Sequence, residues 1–109
     1  MKIKEISENF ILFDNGNMIA CSHEQDCCEH NYADFEQLDD IARNYDYKEN
    51  LVFEEVEDAG FRFGDRPERM FFVPCYSIQD GYYSSDIDVY YNHEMVLNSS
   101  CEMVDSWKP

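Results

Sequence analysis

Short apolar runs broken by polar or glycine-containing steps dominate the chain, and they predict strands for most of it. Phe10-Ile11-Leu12-Phe13 and Met18-Ile19-Ala20-Cys21 flank Asp14-Asn15-Gly16-Asn17. An Asn-Gly step admits the positive φ of tight turns, so the two runs predict a β-hairpin. Between Phe35 and Tyr45 the period changes: Phe35, Leu38, Ile41, Ala42 and Tyr45 recur every three to four residues, while Glu36, Asp39, Asp40 and Arg43 fall outside that face. The spacing predicts a helix of about eleven residues. Asp34 is placed to cap it with Gln37 as capping-box partner, the acids of its first turns suit the positive end of the helix dipole, and Asn44 or Asp46 ends it.

Beyond the helix, Leu51-Val52-Phe53 opens a strand that turns acidic at Glu54-Glu55-Val56-Glu57-Asp58, and Gly60 permits a turn into Phe61-Arg62-Phe63-Gly64. After a loop at Asp65-Arg66-Pro67-Glu68, the run Met70-Phe71-Phe72-Val73 reads as a buried strand. Its extension through Pro74 and Cys75 must lie at an edge or a bulge, because proline cannot donate to a ladder. Ile87, Val89 and Tyr91 alternate with Asp86, Asp88 and Tyr90, the signature of a half-buried strand, and Asn92-His93 turns it into Met95-Val96-Leu97. The expected fold is α+β: a mainly antiparallel sheet of about five to six strands with one short helix near residues 35–45, in a single domain spanning 1–109.

Composition narrows the partners. The chain has 109 residues, 44% of them hydrophobic and 16% aromatic, so its net charge of −16 decorates a packed body and not a disordered tail. With 24 acids against 8 bases, long-range repulsion disfavours nucleic-acid backbones and anionic membranes and favours basic protein surfaces. No apolar run approaches the roughly 20 residues of a membrane span, and the first residues contain no signal-like apolar stretch. Five cysteines, an odd number, fit reduced thiols in a cytoplasmic protein better than a disulfide framework.

One segment concentrates possible ligands. His23-Glu24-Gln25-Asp26-Cys27-Cys28-Glu29-His30 holds imidazole, carboxylate and thiol within eight residues. In an extended chain Asp26, Cys28 and His30 share one face while Cys27 points away, so adjacent cysteines chelate a single tetrahedral zinc poorly. His23, or the distant His93 or Cys101, would have to complete the set. The simpler reading packs one cysteine as a small apolar residue and uses His23 and Asp26 to hold a turn. Cysteine nucleophile chemistry is disfavoured, because Glu24, Asp26 and Glu29 oppose a thiolate. With no phosphate loop, nucleophile elbow or zinc-protease motif, the chain is not expected to be an enzyme or to carry a cofactor, zinc being the alternative.

The acids are unevenly spread, with thirteen between Glu24 and Asp58 against only Arg43 and Lys48. Glu36, Asp39 and Asp40 on the helix, Glu54, Glu55, Glu57 and Asp58 after it, and Asp86 and Asp88 further on are the candidate partner-binding surface. Tyr45 and Tyr47 are expected to be exposed beside it. Alternate acids on a strand recur about 6 to 7 Å apart on one face, an array able to imitate a nucleic-acid backbone before a basic groove. The plain alternative is a solvated, solubilising surface. Arg62, Arg66 and Arg69 are interleaved with Asp65 and Glu68 and should neutralise one another.

The pattern His23-x-Gln25-Asp26-Cys27-Cys28-Glu29, with Gly81-Tyr82-Tyr83-Ser84 some fifty residues later, resembles a family of small bacteriophage and mobile-element proteins. The likeness runs from about Phe10 to Val96. It implies an origin, and with it the cytosol of a bacterial host, but no mechanism. Small acidic phage proteins often act by occupying host protein surfaces, including the nucleic-acid channels of defence nucleases. Origin and charge together predict an inhibitor of that kind, such as an anti-CRISPR. A metal-binding or redox domain centred on His23, Asp26, Cys28 and His30, and a structural or assembly protein with a purely solvating surface, are the alternatives.

Overall fold

The alternation of apolar and polar side chains along short strands sets the architecture. The computed structural model describes residues 1–22, 30–79 and 85–105. Among these, the strands are β1 (Ile3–Ile6), β2 (Phe10–Phe13), β3 (Met18–Ser22), β4 (His30–Ala33), β5 (Val52–Val56), β6 (Gly60–Arg66), β7 (Arg69–Gln79), β8 (Asp86–Tyr91), β9 (Glu94–Ser100) and β10 (Glu102–Asp105). They form two five-stranded sheets. The first runs β1-β2-β3-β8-β9, antiparallel throughout. The second runs β10-β7-β6-β5 with β4 also paired to β7, and there the β10–β7 pair is parallel.

The mainly antiparallel expectation therefore holds, while the expected single sheet of about five to six strands is corrected to ten described strands in two sheets, and the helical part of the α+β expectation is corrected as well. The described residues carry ten strands, and the predicted eleven-residue helix is a 3-10 turn over Phe35–Gln37 followed by α1, five residues over Asp40–Asn44. Leu38 (ψ 130°) and Asp39 (ψ 178°) are extended between them. Each piece carries its own cap: Asp34 accepts from the Glu36 amide at 3.2 Å, and Asp39 accepts from the Ala42 amide at 2.9 Å. Two short carboxylates competing for backbone amides interrupt one helix into two turns. The apolar spacing survives the break: Phe35, Leu38 and Ala42 are buried, whereas Ile41 is left 58% exposed. Gln37 does not complete the expected capping box: its side-chain amide donates to the Asp34 carboxylate at 2.9 Å, while the Asp34 amide donates to the Pro74 carbonyl.

Both predicted hairpins are present. Phe10 pairs with Ala20 and Leu12 with Met18 around Gly16, whose φ is +93°. Asn92 (φ 49°) and His93 (φ 72°) form the two-residue connection from β8 to β9, the double left-handed geometry of a primed turn.

Inward side chains of both sheets meet in one cluster that includes Ile11, Phe13, Ile19, Phe61, Phe63, Val73, Ile87 and Val89. Tyr47 is its keystone, correcting the expectation that this ring is exposed: it is 2% accessible, and its centroid lies 5.5 Å from Phe13 and 5.6 Å from Phe63. Tyr45 is half-buried, edge-on to Tyr47 at 4.7 Å. Burying rings of this size contributes roughly 2 kcal/mol or more apiece.

Pro74 sits where β7 changes partner. The Cys75 amide donates to the Ala59 carbonyl while the Pro74 carbonyl accepts from the Asp34 amide, placing β6 and β4 on opposite sides of β7. Pro74 faces the β4 side one residue before that pairing begins at Ala33 and Cys75, so its missing N–H interrupts no ladder. Opposite it, Gly60 (φ +149°) brings β6 so close that a Cβ there would meet the Val73 carbonyl, which explains why only glycine fits.

Candidate functional site

The acids of β5 and β8 converge on the edge strand β9. β5 ends in the turn Glu57-Asp58-Ala59, where Asp58 takes a left-handed φ of 58°. Its amide donates to the Ser100 hydroxyl at 2.9 Å, and the Glu55 carboxylate accepts from the Ser100 amide at 2.7 Å. Ser100 is in turn paired with Asp86 across the ladder, and Asn98 with Asp88. The Asn98 side-chain amide donates to both carboxylates, at 2.8 Å to Asp86 and 2.9 Å to Asp88. Four acids from three elements, Glu55, Asp58, Asp86 and Asp88, are thereby gathered around two residues of β9, and Glu57 stands exposed in the same turn.

The other predicted acids stand elsewhere. Glu54 points to the outer face of the second sheet and is neutralised by Arg62 at 2.6 Å. Glu36, Asp39 and Asp40 belong to the helical segment beside β1 and β7, with Asp39 engaged as a cap. Glu36 also borders a cleft of about 360 Å³ between the β1–β2 turn and β4. Glu8, Asp34, His30 and Tyr32 line that cleft as well, and the two rings stack at 5.0 Å. Carboxylates beside aromatic faces suit a cation.

Charges of both signs meet at the opposite end of β6, where Glu68 stands with Arg66 and Arg69 around Tyr45. Arg66 lies 3.6 Å from the Asp65 carboxylate and donates to the Tyr45 hydroxyl at 3.2 Å, while Arg69 stands over the Tyr45 and Phe71 rings at 5.7 and 6.0 Å. The Asp65 carboxylate accepts from the Tyr45 hydroxyl and the Lys48 amide. Burial pushes that carboxyl up, but these two hydrogen bonds and the Arg66 and Lys48 charges outweigh burial and hold it below the usual carboxylate range. β6 is seven residues long, so the acidic turn at Asp58 and the basic turn at Arg66 lie about 20 Å apart.

Of the metal candidates, His23, Asp26 and Cys28 lie outside the described residues, as does Gly81-Tyr82-Tyr83-Ser84. His30 opens β4, exposed. Among the described residues no group of three His, Cys, Asp or Glu is arranged to hold a metal ion. Cys21, Cys75 and Cys101 are free thiols in the core. Hydrogen bonding to Cys101 and burial push the Cys75 thiol up, and burial does the same to Cys21, so both stay protonated. No described helix is long and apolar enough to cross a membrane.

The role of Asn98 in holding two carboxylates was not visible in the sequence; its only signal is its place opposite Asp88 once the register of the turn is known. No known family, curated protein or solved structure matches the chain.

Proposed function

We propose that the protein binds and blocks a basic surface of another protein, presenting carboxylates where that surface would receive a nucleic-acid backbone. The observation that carries the reading is the separation of charge along β6. Glu55, Glu57, Asp58, Asp86 and Asp88 share one end, where among the described residues no arginine or lysine is bonded to Glu55, Glu57, Asp58 or Asp88, whereas at the other end Arg66 and Arg69 of the β6–β7 turn are matched by Asp65 and Glu68. Asn98 and Ser100 hold the carboxylates of Glu55, Asp86 and Asp88 in fixed positions and anchor the Asp58 backbone, so less side-chain freedom is lost when a cationic groove engages those three. A purely solvating surface has no need of such anchoring. A phage origin, proposed together with this reading, would place the target in the bacterial cytosol, a defence nuclease being the type of protein whose basic channel such an array would fill.

The test is capture from a bacterial lysate at low salt, elution by a salt gradient, and identification of the eluted protein. The captured partner is then measured against a variant carrying Glu57→Gln, Asp58→Asn, Asp86→Asn and Asp88→Asn, which keeps the acceptors for Asn98 and removes four charges. Affinity should fall at least tenfold, and its dependence on salt should flatten. Equal binding at low and half-molar salt would remove the electrostatic reading.

A further inference from the structure

The outer face of the first sheet is apolar where a solvated sheet would be polar. β2 and β3 are apolar on both faces: Ile11, Phe13, Ile19 and Cys21 point into the core, while Phe10, Leu12, Met18 and Ala20 point away from it and are half-buried. The register places Phe10 opposite Ala20, Ala20 opposite Tyr90, and Tyr90 opposite Met95, a single row across four strands, with Leu12 opposite Met18 in the next row. Met95 is 60% exposed. On the other side of this strip the following row is Ser22, Asp88 and Asn98, so the apolar residues border directly on the acidic group. At the far strand Glu5 stands opposite Leu12. An apolar centre with a charged rim is the anatomy of a protein interface.

We infer that this face is a docking surface for a different protein, one whose apolar contact residues are flanked by lysine or arginine. The inference rests on the basic-partner reading for the sign of the rim. A second copy of the chain is the wrong occupant: it brings another net charge of −16, and Glu5, Asp86 and Asp88 would meet acids of the same face. Mixed contact also accounts for apolar residues retained beside carboxylates, since the apolar centre supplies affinity and the rim selects the partner.

Two short peptides of equal charge serve as probes, one alternating lysine with leucine and one alternating lysine with serine. The lysine/leucine peptide should bind at least tenfold more tightly and shift the methyl NMR signals of Met18 and Met95 but not of Met70, which lies in the second sheet. Met95→Ser and Tyr90→Ser should each remove that advantage and leave the lysine/serine affinity unchanged; should Tyr90→Ser fail to fold, exposed Met95 still carries the test. Equal binding of the two peptides overturns the docking face while the electrostatic reading stands. Failure of both to bind at low salt overturns the two together. A dimer seen by sedimentation and abolished by Met95→Ser makes a second copy the occupant and overturns the inference.

Discussion

Glu55 and Ser100 tie the edges of the two sheets: the Ser100 amide of β9 donates to the Glu55 carboxylate of β5 at 2.7 Å. β9 has β8 on one side only, and an edge amide satisfied by a side chain is withdrawn from pairing with another chain. Glu55 is thus both part of the acidic group and a clasp. Glu55→Ala should cost about 1 kcal/mol in chemical denaturation, and Glu55→Gln, which keeps an acceptor, clearly less. Equal losses would mean that the charge and not the hydrogen bond stabilises the contact.

The buried Tyr47 hydroxyl donates to the Ala42 carbonyl at 2.7 Å. Tyr47→Phe retains the ring packing against Phe13 and Phe63 but strands that carbonyl, so unfolding free energy should fall by about 1 to 2 kcal/mol. Burial, and the nearby Tyr45, Asp65 and Asp39, push the hydroxyl's pKa above the ordinary tyrosine range. In a spectrophotometric titration, wild type should show one tyrosine fewer ionising before alkaline unfolding than exposure of Tyr47 would give, and Tyr47→Phe should leave the pre-unfolding signal unchanged.

Strands with apolar runs or strict alternation were legible in the sequence, among them the β2–β3 hairpin, β7 and β8. β1, β4 and β10 were not, because IKEI, HNYA and EMVD offer one or two apolar positions each and acquire their conformation from a neighbouring ladder. The helix was over-read because Phe35, Leu38 and Ala42 keep one period through a break imposed by Asp39. For the site, charge density was legible and its geometry was not. Asp58 and Asp86 are far apart in the chain and meet through Ser100, whose place depends on a turn at Asn92-His93 and on the bulge between Val89 and Tyr90.

Asp65 links stability to acid. Its carboxyl is held below the usual range in the folded protein, so the contribution is fully present above the unfolded value of about 3.9 and is lost as pH falls through the lower folded value. Asp65→Asn should cost about 1 kcal/mol at neutral pH, and wild type and variant should converge as the pH is lowered below that range. A constant difference down to pH ~2 would assign the effect to packing.

The core thiols should resist reagents. Cys75 is inaccessible, Cys101 is 2% and Cys21 7% accessible. Alkylation of the folded protein followed by peptide mass analysis should label Cys21 before the other two, and Cys75 and Cys101 only at the rate at which the core opens. Rapid labelling of Cys75 under native conditions would contradict the packing described.

Charge gathered at one end of β6 and balanced at the other makes the molecule an electric dipole as well as an anion. In the field of the cationic groove proposed as its partner, such a body would experience a torque before contact, and encounters would begin already rotated with the Asp58 turn leading and the Arg66 turn trailing. Fewer collisions are then wasted on wrong orientations, a kinetic benefit independent of how firmly the partners finally hold.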